Sequence, residues 1–203
     1  MGFTTIIFAF IFIYFDFNLN NLNVLPDFIG YILFYYGVAS IMNRLGSEYF
    51  LKAKDASKIL IVLAILDTII KHSTVLNNVI NDFHTIQGKL FTFVFVLTVT
   101  SLLIYSIYNL CKGIEVEANQ INDIHLVEKS KEVFRITFIF ETVSCVVLLV
   151  SSLLMGQDEV KFSMDGTGAF FVFVVIAFIV LYVFFRMFSL LKAAEKAFNN
   201  GLR

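Results

Sequence analysis

The sequence predicts an all-α, polytopic helical membrane protein with six transmembrane helices arranged as three hairpins and both termini cytoplasmic. Three observations carry that expectation. Of the 203 residues, 59% are hydrophobic and only 15% charged, with a mean hydropathy of +0.84, well above the roughly 45–50% apolar usage of soluble domains. The charges cluster near 44–58, near 112–135 and at the C-terminus, with nearly charge-free stretches between them, the layout of spans and their loops. With both termini inside, the cytoplasmic side holds Arg44, Lys52, Lys54, Lys58, Lys112, Lys129, Lys131, Arg135, Arg186, Lys192, Lys196 and Arg203. Only Lys71, Lys89 and Lys161 of the 15 basic residues are left outside, a strong positive-inside bias. Omitting one span would reverse every loop after it.

The first expected span is 3–17. Its flanks lack the positive n-region and the small-residue cleavage site of a secretory signal, so it is read as retained, and Ile6 stands where a myristoylation motif needs Ser or Thr. A polar island follows, Asp16 to Asp27, with two carboxylates, four asparagines and the single proline of the chain. Such groups need water or protein partners, which makes the island the turn of a helical hairpin. The second span is 24–42. Pro26 falls in its first turn, where a missing N–H costs nothing, and Asp27 favours the positive helix N-terminus. Gly30 and Gly37 leave notches for a neighbouring helix.

The third span, 57–72, is the least apolar, since it carries Asp67 and Lys71. Their i, i+4 spacing, acid first, is the favourable order for a helical ion pair. The fourth, 90–111, is long and uncharged. In 112–132 the apolar Ile114, Ala118, Ile121 and Ile124 recur at helical spacing, so spans four and five should continue past the membrane as a cytoplasmic amphipathic hairpin or interfacial helix. The fifth span, 133–155, holds Glu141 among Phe, Ile and Val. The sixth, 169–191, runs into a helical tail that stops at Asn199-Asn200-Gly201. The whole chain, 1–203, reads as a single integral membrane domain.

Glu141 is the leading functional candidate. A carboxylate two turns into the membrane from Arg135 is costly unless paired, protonated or facing a cavity, and it fits either an ion or proton site or an interhelical hydrogen bond. Asp67 has Lys71 as a local partner. Asp16, Asn18, Asn20 and Asp27 occupy positions 1, 3, 5 and 12 of a calcium-loop spacing. Asn21 stands where the turn glycine belongs, however, and position 12 is Asp, so the island reads first as side-chain-capped turn and second as a cation site. Cys111 and Cys145 read as apolar filler rather than a disulfide. His72, His84 and His125 have no metal spacing, and neither a metal nor any other cofactor is expected. Phosphate-loop, zinc-protease and serine-hydrolase motifs are absent, which disfavours an enzyme. With a formal net charge of -1 and no basic tract, a nucleic-acid partner is excluded.

The run Leu25-Pro26-Asp27-Phe28-Ile29-Gly30-Tyr31-Ile32-Leu33, with the Asp-containing first span before it, resembles a segment of small uncharacterised polytopic membrane proteins of low-GC Gram-positive bacteria. The resemblance covers about the first 40 residues and implies a bacterial cytoplasmic membrane and no particular activity. The expected partners are the lipid bilayer and a protein partner or second copy. The expected role is a non-catalytic one through contacts with other membrane proteins, as an accessory or immunity-type subunit. The alternative is a small-solute or ion transporter or channel that uses an intramembrane carboxylate.

Overall fold

The apolar runs fold as helices, and polar punctuation joins them. The computed structural model describes residues 2–15, 18–19, 22–23, 27–73, 85–154 and 166–200. Among the described residues, α1 spans Gly2–Tyr14, α2 Asp27–Leu45, α3 Glu48–His72, α4 Ile86–Gln120, α5 Ile124–Leu154 and α6 Gly166–Asn200. Between α1 and α2 the backbone pairs as a short antiparallel ribbon, β1 (Asn18–Leu19) against β2 (Leu22–Asn23), with Asn18 opposite Asn23.

Helix α2 ends at Gly46, whose φ of 78° is the left-handed conformation glycine adopts without strain, and its N–H bonds the Met42 carbonyl at 2.8 Å. The Thr85 side chain accepts the Gly88 N–H at 3.2 Å and caps the start of α4. Between α4 and α5, Asn122 takes φ 55° and the Asp123 carboxylate accepts the Leu126 N–H at 3.0 Å. One tight turn with its own N-cap therefore folds 112–132 back on itself as a helical hairpin.

Each helix packs on its successor, and α6 packs back on α1. Side-chain contacts fix the directions. Gly37 of α2 lies against Ile6 of α1, and Gly113 near the end of α4 lies against Phe50 near the start of α3. Ser130 of α5 donates to the Cys111 carbonyl of α4 at 2.6 Å, Lys129 donates to Ser189 of α6 at 2.8 Å, and Thr4 of α1 donates to Glu195 of α6 at 2.9 Å. The starts of α1, α3 and α5 thus meet the ends of α2, α4 and α6 at one end of the bundle.

That end is solidly packed. Ile6, Phe10, Phe34, Phe50, Leu110, Ile114 and Leu190 are all fully buried in one cluster. The far halves of α4, α5 and α6 are the reverse: Val94, Val147 and Phe178 are 54%, 56% and 69% exposed. Apolar surface on that scale is at home in hydrocarbon, not water.

Among the described residues three helical stretches, Ile86–Gln120, Ile124–Ser151 and Val174–Asn199, are long and apolar enough to cross a membrane. The six spans expected from sequence reduce to three by this measure, for local reasons. The 13 residues of α1 rise only about 20 Å, against a hydrocarbon thickness of about 30 Å. Helix α2 starts on Asp27 and ends on Asn43 and Arg44, and α3 carries Glu48, Lys52, Lys54, Asp55, Lys58, Asp67 and Lys71. Position matters as well. Phe3 packs on Phe198 at 5.9 Å and Phe15 on Phe184 at 5.5 Å, so α1 runs beside 184–198 of α6, the part bearing Arg186, Lys192, Glu195 and Lys196. Beyond Phe184, α6 continues to Gly166, about 27 Å further. Residues 3–15 therefore lie beside 184–198, so the two segments expected as spans, 3–17 and 169–191, are offset along the bundle and share only the stretch 184–191 of α6.

Candidate functional site

Glu141 lies on the inward face of α5, where the helix meets the end of α1, and it is only 8% exposed. One residue before it, the Phe140 ring meets the Tyr14 ring edge-on at 6.0 Å. Tyr14 in turn stacks on Phe10 at 5.5 Å, and Phe10 meets Phe34 of α2 edge-on at 5.8 Å. This aromatic ladder seals the carboxyl from solvent on the α1 side. The Tyr14 hydroxyl and the Glu141 carboxyl are neighbours across the α1–α5 seam, with buried Tyr31 of α2 close by. Yet among the described residues neither the Tyr14 Oη nor the Glu141 Oε1 makes a hydrogen bond of good geometry, although the two groups are close enough to interact with each other. One turn earlier on α5, the Thr137 hydroxyl satisfies itself on the Val133 carbonyl at 2.9 Å and does not serve the acid.

A carboxyl and a phenol placed this way form a two-residue polar site inside an apolar seam. It can hold a proton, or a small polar group that bridges the two oxygens.

The other candidates fall elsewhere. Lys71 Nζ and Asp67 Oδ2 pair at 2.6 Å, so the local partner named by their spacing is the one present. Asp27 occupies the first turn of α2. Asn18 pairs through its backbone in the β-ribbon, while Asp16 and Asn20 lie outside the described residues. The island is thus not assembled with Glu141 by any described contact. Gly30 lies against Ala9, Phe12 and Ile13, and Gly37 against Gly2 and Ile6, which puts both glycines on the α1 seam. Cys111 and Cys145 are buried free thiols. No group of three or more metal-ligating side chains occurs among the described residues.

Sequence reasoning missed Tyr14 as the neighbour of Glu141. The two residues lie 127 positions apart, and no local pattern joins them. Sequence reasoning also missed the ties that close the bundle: Thr4 to Glu195, Arg44 to the Asn199 side chain at 2.8 Å, and Arg186 to Glu132. These residues lie 191, 155 and 54 positions apart, and no local pattern joins them. At the same end, Lys52 pairs with Glu48 at 2.6 Å and holds that carboxyl below the usual range.

No family model matches the chain, and no curated protein or solved structure is significantly similar to it.

Proposed function

We propose that this chain is a non-catalytic protein of a bacterial cytoplasmic membrane that acts through contacts with other membrane proteins, as an accessory or immunity-type subunit. The observation that carries the reading is the division of the bundle into two halves. The end holding both termini is filled by buried side chains from all six helices, which leaves little room for a solute path. The far halves of α4, α5 and α6 leave their apolar sides unpaired, open to lipid and to the helices of a partner or a second copy. The packed end carries Arg44, Lys54, Lys112, Lys131, Lys192 and Lys196 and is the cytoplasmic one by charge. In this topology α4, α5 and α6 cross, α3 with its 25 residues, about 37 Å long, carries the chain from the cytoplasmic end to the level where α4 starts, and the α1–α2 hairpin enters from the cytoplasmic face without reaching the other side. Cross-linking in native membranes followed by purification tests the reading: a reproducible partner or homo-oligomer is expected. Recovery of an isolated monomer from every condition would refute it.

The transporter reading keeps one observation of its own, the buried Glu141 Oε1 that lacks a hydrogen bond among the described residues. It requires Glu141→Gln to abolish flux in reconstituted vesicles while the protein stays folded.

A further inference from the structure

A cleft of about 170 Å³ opens between α4 and α5, lined by Tyr108, Cys111, Lys112, Glu115, Ser130, Lys131 and Phe134. Its charges are unbalanced. Lys112 Nζ lies 2.9 Å and Lys131 Nζ 3.7 Å from the same oxygen, Oε1 of Glu115. Two ammonium groups thus share one carboxylate, and the cleft keeps one positive charge.

The cleft also sits at a defined depth. Lys112 is the first charge after the uncharged run 90–111 of α4, so its ammonium marks the edge of the hydrocarbon. On the hydrocarbon side the cleft is walled by Tyr108 and Phe134, whose rings meet edge-on at 5.2 Å. Tyrosine at that level is the usual headgroup-region residue. At its floor, the Ser130 hydroxyl is spent on the Cys111 carbonyl, which leaves the lysines as the donors that face outward. The volume is below the roughly 300 Å³ at which sites for drug-sized ligands begin, so it suits a phosphate with its acyl chains lying outside along the apolar helix faces.

We infer that this α4–α5 cleft seats the headgroup of an anionic phospholipid, with Lys112 and Lys131 holding the phosphate and Tyr108 and Phe134 packing against the first part of the lipid tails. Basic pockets between membrane helices on the cytoplasmic side bind anionic headgroups for the same electrostatic reason. The inference needs only a membrane setting and is independent of the accessory-subunit reading.

The test is thermal unfolding of the full chain in a neutral detergent, titrated with phosphatidylglycerol, phosphatidylcholine or inorganic phosphate. Phosphatidylglycerol should raise the Tm, and the other two should leave it unchanged. Lys112→Gln/Lys131→Gln should weaken the phosphatidylglycerol effect by about thirtyfold in concentration, from about 1 kcal/mol for each of the two lysines near the surface. Lys54→Gln/Lys196→Gln, which removes two charges from the same end of the molecule, should leave it intact. Glu115→Gln frees both lysines and should shift the titration to lower lipid concentration, a change that a merely structural carboxylate would not produce. An unaltered response in the double lysine variant, or a weaker one in Glu115→Gln, would overturn the assignment. Equal protection by inorganic phosphate would assign the cleft to a soluble anion instead, and that too refutes it. If the double variant does not fold, Glu115→Gln decides.

Discussion

Gly37→Ala probes a close contact between the α1 and α2 backbones. An alanine Cβ at this position would stand 2.5 Å from Ile6 Cγ1, 2.9 Å from the Gly2 carbonyl oxygen and 3.1 Å from the Ile6 backbone nitrogen. Two of those three atoms are backbone and cannot rotate aside, and Ile6 is completely buried. Alanine gains about 1 kcal/mol in helix propensity over glycine, while overpacking of this kind costs about 1–3 kcal/mol. The backbone contacts put the cost near the upper limit, so the net loss is about 1–2 kcal/mol. For a chain of this size that lowers the Tm by roughly 2–8 °C, at about 2–4 °C per kcal/mol. The two buried thiols, Cys111 and Cys145, supply the assay, since a thiol-reactive dye reports their exposure as the protein unfolds in detergent. Ile6→Ala removes the nearest side-chain atom, so Ile6→Ala/Gly37→Ala should lose less than the sum of the single losses. A Tm raised by Gly37→Ala, or strictly additive losses, would mean that the α1 and α2 backbones are not in contact at this level.

Other positions test separate parts of the structure by the same thermal assay. Glu141→Leu replaces a buried carboxyl whose Oε1 lacks a described partner, so its Tm should be unchanged or higher; a loss above about 2 kcal/mol would show the acid to be well bonded, since breaking a satisfied buried polar contact has that cost. Thr4→Val removes the hydroxyl that lies 2.9 and 3.1 Å from the two Glu195 oxygens and should cost about 1.5 kcal/mol, as hydrogen bonds to charged groups do. No loss would detach the α1 start from α6. Thr85→Ala deletes the α4 cap and should cost about 1 kcal/mol, with faster amide exchange confined to the first turn of α4; exchange that rises throughout the helix would point to another cause. Single cysteines at Lys54 and Lys196, in a chain cleared of Cys111 and Cys145, should both react with an impermeant thiol reagent from the cytoplasmic side only. Labelling from opposite sides would break the proposed topology.

Helical class and the apolar character of the long segments were legible in the residues, because each depends on a few neighbours in the chain. The Asp67–Lys71 pair belongs to the same category: one helical turn separates the partners, so spacing was enough.

Depth was not legible. Hydropathy marks 3–17 and 169–191 as two apolar runs, but whether they lie side by side depends on register, and register is set by contacts between distant residues. Phe3 on Phe198, Thr4 on Glu195 and Phe15 on Phe184 slide α1 down to the charged end of α6. The neighbour of Glu141 was hidden for the same reason, since the side chain facing it comes from the end of a helix more than a hundred residues earlier. The sequence by itself determined that the chain is helical and that its long helices are apolar enough to cross a membrane. Only the tertiary structure decided how far these helices are offset along one another and what the buried acid meets, because those follow from packing between helices and not from the composition of any one.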